Sequence, residues 1–151
     1  MKQEVFILSK AQFVEVLPKV IDKEDTYIIS ILDPDDKVPL KEDSENYKTL
    51  FFYDLEQDVQ TYKAISSEQA EDLLKFILKN KDKRKCIVHC TAGVSRSGAV
   101  GEFIHELGGG AYKELKEKYP YILPSGRVLM YLRYAEEINN TTFVENKNIW
   151  H

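Results

Sequence analysis

The segment His-Cys-Thr-Ala-Gly-Val-Ser-Arg-Ser at residues 89–97 constrains the fold of this chain more than any other. An apolar run at residues 86–88 precedes it and is typical of a short buried strand. The apolar residues that follow, within residues 98–107, have the spacing of a helix. Cys90 is therefore predicted to lie in a turn between a strand and a helix. Because the first N–H groups of a helix are unpaired and its dipole is positive there, this turn is predicted to bind an anion.

The residue types in this turn suit chemistry on a phosphate ester. Cys90, as a thiolate, would attack phosphorus and form a cysteinyl-phosphate. Arg96 would bridge two phosphate oxygens with its planar guanidinium, and Gly93 would allow close approach of the backbone. The Ser97 hydroxyl would donate to the Cys90 sulfur and ease its departure. The predicted substrate-binding residues are Thr91, Ala92, Gly93, Val94, Ser95 and Arg96.

Two further residues, His89 and Cys86, lie on the strand side of the nucleophile. His89 is predicted to face away from the substrate, to brace the loop through a hydrogen bond and to favour the Cys90 thiolate. Cys86 lies four positions before Cys90 on an extended strand, too far for a disulfide. Two free thiols fit a reducing cytoplasm, which is the expected location.

The nine residues resemble the signature of the cysteine-dependent protein tyrosine phosphatases, His-Cys-x5-Arg followed by Ser or Thr. The order of elements along the chain is most similar to the small dual-specificity type found in bacteria and phages. We call residues 90–96 the signature loop. The resemblance implies an α/β fold with a central, mostly parallel sheet and helices on both faces. It also implies catalysis without a cofactor or metal, and an aspartate on an upstream loop as general acid.

Three carboxylates compete for the role of general acid, and all lie in residues 54–65, which we call the acid loop. Asp54 directly follows a predicted strand, and the end of a strand gives a defined approach to the site. Asp58 lies further into the loop and is the alternative, while Glu56 is a weaker candidate. The acid would protonate the leaving group and then activate the water that hydrolyses the intermediate. Asp54 is the favoured assignment.

Alternating strands and helices predict an α/β sheet covered on both faces. Ser9 with Gln12, and Ser66 with Gln69, are capping boxes that should begin two helices. Pro18 should kink the first of these helices or end it early. Strands are predicted at residues 4–8, 26–32, 49–53 and 86–88, and later helices at residues 98–107, 111–119 and 126–138.

Composition limits the partners. The 151 residues predict a single domain, residues 1–151, with 21 basic side chains against 25 acidic ones. This balance argues against a nucleic-acid-binding surface, and the apolar runs are too short for a membrane span. The start of the chain lacks the pattern of a secretory signal. No metal site is expected, because the three histidines, His89, His105 and His151, form no ligand cluster with the cysteines.

The predicted activity is hydrolysis of phosphomonoesters, with a phosphotyrosine-containing protein as the favoured substrate. No Lys or Arg lies between Cys90 and Arg96, which argues for a singly phosphorylated substrate. Two alternatives remain, a catalytically weak phosphate-binding module and a phosphatase of nucleotides or inositol phosphates. Arsenate reduction is disfavoured, because Cys86 is badly placed to resolve an intermediate. Sulfur transfer is disfavoured, because rhodanese-type loops lack this Cys-to-Arg pattern with the trailing Ser. Ser125 follows Pro124, where many family members carry Asn. Arg127, on the last helix, is expected to be a charge exposed to solvent.

Overall fold

The computed structural model describes residues 2–149, with the side chains of residues 2–141. Within this range no helix is both long enough and apolar enough to cross a membrane. A short 3₁₀ turn, Pro34–Asp36, follows the second strand. The strands and helices in chain order are β1 (Glu4–Ser9), α1 (Lys10–Val20), β2 (Thr26–Leu32), β3 (Tyr47–Phe51), α2 (Ser67–Lys79), β4 (Lys85–Cys90), α3 (Arg96–Leu107), α4 (Tyr112–Lys118) and α5 (Gly126–Ile149).

The four strands form one sheet in the order β1-β4-β2-β3, and every neighbouring pair is parallel. The prediction of a mostly parallel α/β sheet is confirmed. Because all strands run the same way, the segments that follow β2, β3 and β4 leave the sheet at one edge. Ligands of open parallel sheets bind at this carboxyl edge.

Alternate residues of each strand point to opposite faces, and both faces are covered by helices. On one face, Ile29 and Val88 belong to a core shared with α2, α3 and α5. On the other face, Ile28 and Ile87 pack with Phe13 of α1. The prediction of helices on both faces is therefore confirmed.

The first two helices begin where the capping boxes predicted. The Ser9 hydroxyl accepts from the backbone N–H of Gln12 at 3.2 Å. The Ser66 hydroxyl accepts from the N–H of Gln69 at 3.1 Å. In both cases the glutamine side chain accepts in return from the N–H of the cap, so the box is complete.

Several boundaries differ from the predictions. Pro18 does not end α1, because it lies close to the end of the helix and Ile21 N–H still bonds to the Leu17 carbonyl at 3.0 Å. β3 ends at Phe51 rather than at residue 53, because Tyr53 N–H bonds to Lys63 of the acid loop instead of continuing the ladder. α3 begins at Arg96 rather than at residue 98, and α5 continues beyond residue 138 to Ile149. The polar residues after Ile138 have low helix propensity, but propensity alone is a weak predictor of where a helix ends.

Candidate active site

Cys90 ends β4 and Arg96 begins α3, so the signature loop joins the central strand to a helix N-terminus as predicted. The Cys90 side chain is buried, with 2% of its surface exposed, and Ser97 is fully buried beneath the loop. The Cys90 Sγ and Ser97 Oγ atoms are 3.0 Å apart, within hydrogen-bond distance. The structure therefore brings the predicted nucleophile and the predicted sulfur-bonding hydroxyl together.

Gly93 gives the signature loop its tight shape. Its φ angle is +73°, in the left-handed region that glycine adopts without strain. A Cβ at this position would lie 2.6 Å from the backbone nitrogen of Ser9 and 2.8 Å from the carbonyl carbon of Leu8. The loop therefore presses directly on the junction between β1 and α1, where Lys10 N–H also bonds to the Thr91 carbonyl at 3.2 Å.

The Arg96 guanidinium is held along one edge by three acceptors. Nη1 donates to Asp33 Oδ1 and to the Phe52 carbonyl, both at 2.7 Å. Nη2 donates to Thr91 Oγ1 at 3.0 Å. Nε is buried and has no hydrogen-bond partner among the described residues. Because Nε–H and one Nη2–H point the same way, they form a fork suited to two oxygens of a bound anion.

Asp33 was missed by the sequence analysis. It directly follows β2, the strand that lies between those leading to Cys90 and to the acid loop. Its side chain is 36% exposed, while the Arg96 side chain that it pairs with is 5% exposed. The signal that indicates it is positional: a carboxylate at the end of a fully buried parallel strand lies at the ligand-binding edge.

His89 faces the α1 side of the sheet, away from the signature loop. Its ring stacks on Phe13 with centroids 4.1 Å apart, and its nitrogens contact Ser30 Oγ at 2.6 Å and the Cys90 carbonyl at 3.3 Å. Because a carbonyl can only accept, we assign the proton to Nδ1, and Ser30 then donates to Nε2. Burial lowers the pKa of His89 to about 4. At neutral pH the imidazole therefore braces the Cys90 backbone without carrying a charge.

The three acid-loop carboxylates have different surroundings. Asp54 Oδ1 accepts from Ser95 Oγ at 2.8 Å, which places Asp54 against the signature loop. Asp58 Oδ1 accepts from Ala64 N–H at 3.0 Å, within the acid loop itself. Glu56 bonds instead to the start of α5. Of the three, Asp54 is the one that the structure joins to the signature loop.

The segment before α5 supports the signature loop through its backbone. Ser125 N–H donates to the Ser95 carbonyl at 3.0 Å, and Leu123 N–H donates to the Val94 carbonyl at 3.1 Å. The Ser125 hydroxyl accepts from Val128 N–H at 3.2 Å and so caps the helix. Ser125 stands where many family members carry Asn, and backbone hydrogen bonds still join this segment to the signature loop.

The remaining cysteine and histidines lie apart from this arrangement. Cys86 is fully buried, and burial raises the pKa of its thiol well above the usual range. His105 lies in α3 facing the glycines after that helix, and His151 is outside the described residues. Within residues 2–141, no three His, Cys, Asp or Glu side chains are grouped as metal ligands.

Three solved structures resemble this one over most of both chains. PTPMT1 in complex with PI(5)P has 17% sequence identity and a TM-score of 0.54, covering 92% of this chain and 94% of that one. Human DUSP28 has 15% identity and a TM-score of 0.56, with 91% and 94% covered. The human tyrosine phosphatase-like serine/threonine/tyrosine-interacting protein has 23% identity and a TM-score of 0.51, with 87% and 86% covered.

No protein-family model matches the chain, and no curated protein matches its sequence significantly. The likeness therefore lies in the architecture. Together, sheet order, helix placement and these neighbours show that the chain has the fold of the cysteine-dependent tyrosine and dual-specificity phosphatases.

Proposed function

We propose that this protein is a phosphatase that hydrolyses phosphomonoesters through a cysteinyl-phosphate intermediate. The observation that carries the proposal is the buried arrangement of Cys90 and Arg96 at the two ends of one short loop. The Cys90 thiol contacts Ser97, and the free Nε of Arg96 belongs to a fork that three acceptors hold in orientation. The N–H groups at the start of α3 add further donors for an anion.

In the first step, the Cys90 thiolate attacks phosphorus. A sulfur–phosphorus bond forms while the ester oxygen–phosphorus bond breaks, and the leaving oxygen takes a proton from Asp54. Arg96 and the loop N–H groups stabilise the charge that builds up on the equatorial oxygens. The Ser95–Asp54 hydrogen bond supports this assignment of the acid, because it holds the carboxyl group at the loop.

In the second step, water attacks the phosphorus of the intermediate and the Asp54 carboxylate takes one of its protons. The new oxygen–phosphorus bond forms as the sulfur–phosphorus bond breaks, which returns the thiolate and releases inorganic phosphate. The Ser97 hydroxyl, 3.0 Å from the sulfur, donates a hydrogen bond to the departing thiolate. His89 keeps the Cys90 backbone in place.

The substrate that we propose is a phosphotyrosine-containing protein. The signature loop carries no basic side chain between Cys90 and Arg96 that would pair with a second phosphate. Tyr62 on the acid loop is 49% exposed, and its ring packs edge-on against Tyr53 with the ring centroids 5.1 Å apart. The exposed ring surface is available to stack with the tyrosyl ring of a substrate. Both cysteines are free thiols, which supports a reducing compartment such as the cytoplasm.

A second candidate substrate is a lipid or other non-protein phosphomonoester. The structural similarity to PTPMT1, which was solved in complex with PI(5)P, is the reason to test this class of substrate. The two classes are separated by comparing kcat/KM on phosphotyrosyl peptides, singly phosphorylated phosphoinositides and nucleoside monophosphates. A clear preference for the peptide supports the first assignment.

The experiment that tests the proposed function is hydrolysis of a small aryl phosphate across pH with a chelator present. Wild type and Cys86→Ala should turn over, whereas Cys90→Ser should lose turnover but keep binding of a phosphate analogue. Turnover that survives in Cys90→Ser would overturn the mechanism. A wild-type protein that binds the analogue tightly without turnover would instead support the phosphate-binding module.

A further inference from the structure

A carboxylate of the acid loop caps the N-terminus of α5. Glu56 Oε2 accepts from Arg127 N–H at 2.8 Å, and Oε1 accepts from Gly126 N–H at 3.2 Å. The Ser125 hydroxyl donates to Oε1 at 3.4 Å. The first N–H groups of a helix lack partners within it and lie at the positive end of its dipole. Glu56 therefore satisfies these donors from a distant part of the chain.

Arg127 makes a second tie between α5 and the acid loop. Its Nε and Nη2 donate to the Ile65 carbonyl at 3.1 and 2.8 Å, and Nη2 lies 3.2 Å from Asp58 Oδ1. The side chain is only 13% exposed, so the expectation of a solvated charge is wrong for Arg127. The acid loop is thus attached to α5 near its start, through Glu56, and at its end, through Ile65.

The same end of α5 is tied to the signature loop, which closes a ring of contacts. Ser95 holds Asp54 with its hydroxyl at 2.8 Å and holds Ser125 N–H with its carbonyl at 3.0 Å. Ser125 and its neighbour Gly126 hold Glu56. Because Glu56 is two positions from Asp54, fixing Glu56 restricts where the Asp54 carboxyl group can reach.

We propose that Glu56 is a positioning residue that keeps Asp54 against the signature loop. The inference rests on the proposed function, in which Asp54 is the general acid. Loss of the Glu56 carboxylate frees the first part of the acid loop, so that Asp54 spends less time where it protonates the leaving group. The cradle formed by Cys90 and Arg96 does not contact Glu56, so phosphate binding stays as it is.

The test compares Glu56→Ala with wild type on two aryl phosphates, one with an acidic phenol as leaving group and one with a weakly acidic phenol. We expect kcat/KM, which reports the step that expels the leaving group, to fall about tenfold or more on the second ester, which needs the proton most. This is part of the roughly 10²–10⁴-fold that a general acid contributes. On the first ester kcat/KM should change little, and inhibition by inorganic phosphate should be unchanged. Glu56→Gln should recover part of the loss, because its amide oxygen still accepts one hydrogen bond.

The matched control is Glu114→Ala. Glu114 accepts from Ala111 N–H at 3.2 Å at the start of α4, so this variant removes a capping carboxylate far from the acid loop. Both esters should react as in wild type. An equal loss of kcat/KM on the two esters in Glu56→Ala, or the same selective loss in Glu114→Ala, would overturn the inference.

A readout that does not depend on turnover separates this inference from the proposed function. Amide hydrogen exchange within residues 54–65 should become faster in Glu56→Ala and stay unchanged in Glu114→Ala. Unchanged exchange in Glu56→Ala would refute the tie even if the enzyme is active. If the wild type is inactive but amide exchange is still faster in Glu56→Ala, the proposed function is wrong. In that case Glu56 remains the residue that holds Asp54 in place.

Discussion

Asp33 Oδ1 accepts a hydrogen bond from Arg96 Nη1 at 2.7 Å, and this pair fixes the guanidinium on the side away from its free fork. The Phe52 carbonyl accepts from the same nitrogen, so Nη1 has two acceptors. Thr91 Oγ1 accepts from Nη2, so three acceptors together orient the guanidinium. In the proposed mechanism, Asp33 acts on a bound anion through Arg96, as a positioning residue.

Asp33→Ala should weaken inhibition by inorganic phosphate by about tenfold, because a hydrogen bond to a charged group contributes about 1.5–3 kcal/mol. Asp33→Asn, which keeps an acceptor, should lose less. The measurement is the inhibition constant at fixed pH and ionic strength. Asp35→Ala is the matched control, since Asp35 bonds to Tyr53 rather than to Arg96. Tighter phosphate binding in Asp33→Ala would mean that the charge of the carboxylate outweighs its orienting bond.

Asp54→Asn should lower kcat on an aryl phosphate with a weakly acidic phenol by about 10²–10⁴. It should also flatten the basic limb of the pH profile, because that limb reports loss of the proton that the acid donates. Asp58→Asn should leave the shape of the profile unchanged, since Asp58 contacts Ala64, Lys63 and Arg127. The assignment of the acid is wrong if Asp58→Asn flattens the basic limb and Asp54→Asn does not.

Gly93→Ala should destabilise the protein by more than about 2 kcal/mol, because it combines a left-handed backbone with a clash against backbone atoms. Gly109→Ala isolates the first effect. Gly109 has a φ of +84° but no atom within 4 Å of the position of a Cβ. Its substitution should cost only about 1 kcal/mol. Urea unfolding of both variants makes the comparison, and equal losses would show that the contact with β1 and α1 is unimportant.

Stability should fall as the pH drops from about 6.5 towards 4. Burial lowers the pKa of His89 to about 4 in the folded protein, against 6.5 for an exposed histidine. Between these values the unfolded chain binds a proton that the folded protein does not, so acid favours unfolding by up to about 1.4 kcal/mol per pH unit. Above pH 6.5 the protonation of His89 does not lower the free energy of unfolding. Below pH 4 both states bind the proton, so the loss of stability from His89 no longer grows.

The measurement for His89 is the free energy of unfolding in urea at several pH values. The double variant His89→Phe and Ser30→Ala removes the imidazole together with the hydroxyl that it would leave unpaired. Its stability should change less steeply over this range than that of wild type. Identical slopes in wild type and the double variant would show that folding does not lower the pKa of His89.

Features set by neighbouring residues were predictable from the sequence. The capping boxes at Ser9 and Ser66 need only residues three positions apart, and both helices begin as expected. The strand–loop–helix arrangement around Cys90 follows from a short apolar run and a helical pattern on either side of the motif. Such signals predict helices and strands because the residues that interact lie close together in the sequence.

Features set by contacts between distant residues were not predictable in the same way. Asp33 and Arg96 are 63 positions apart, and only the parallel order of β2 and β4 brings them together. Glu56 and Arg127 are separated by 71 positions, so nothing in either local sequence indicates that Glu56 binds the start of α5. The end of β3 depends in the same way on Tyr53 finding Lys63 across the acid loop.

The order of the sheet gives the two halves of the proposed chemistry unequal local stability. β4, which ends in Cys90, is bonded on both sides, to β1 and β2. β3, which leads to Asp54, is an edge strand, and β2 is its one strand partner in the described sheet. Partial opening of a protein starts where few bonds must break. A fluctuation that detaches β3 would therefore carry away the proposed proton donor and the Phe52 carbonyl that bonds to Arg96, and leave Cys90 in place on β4.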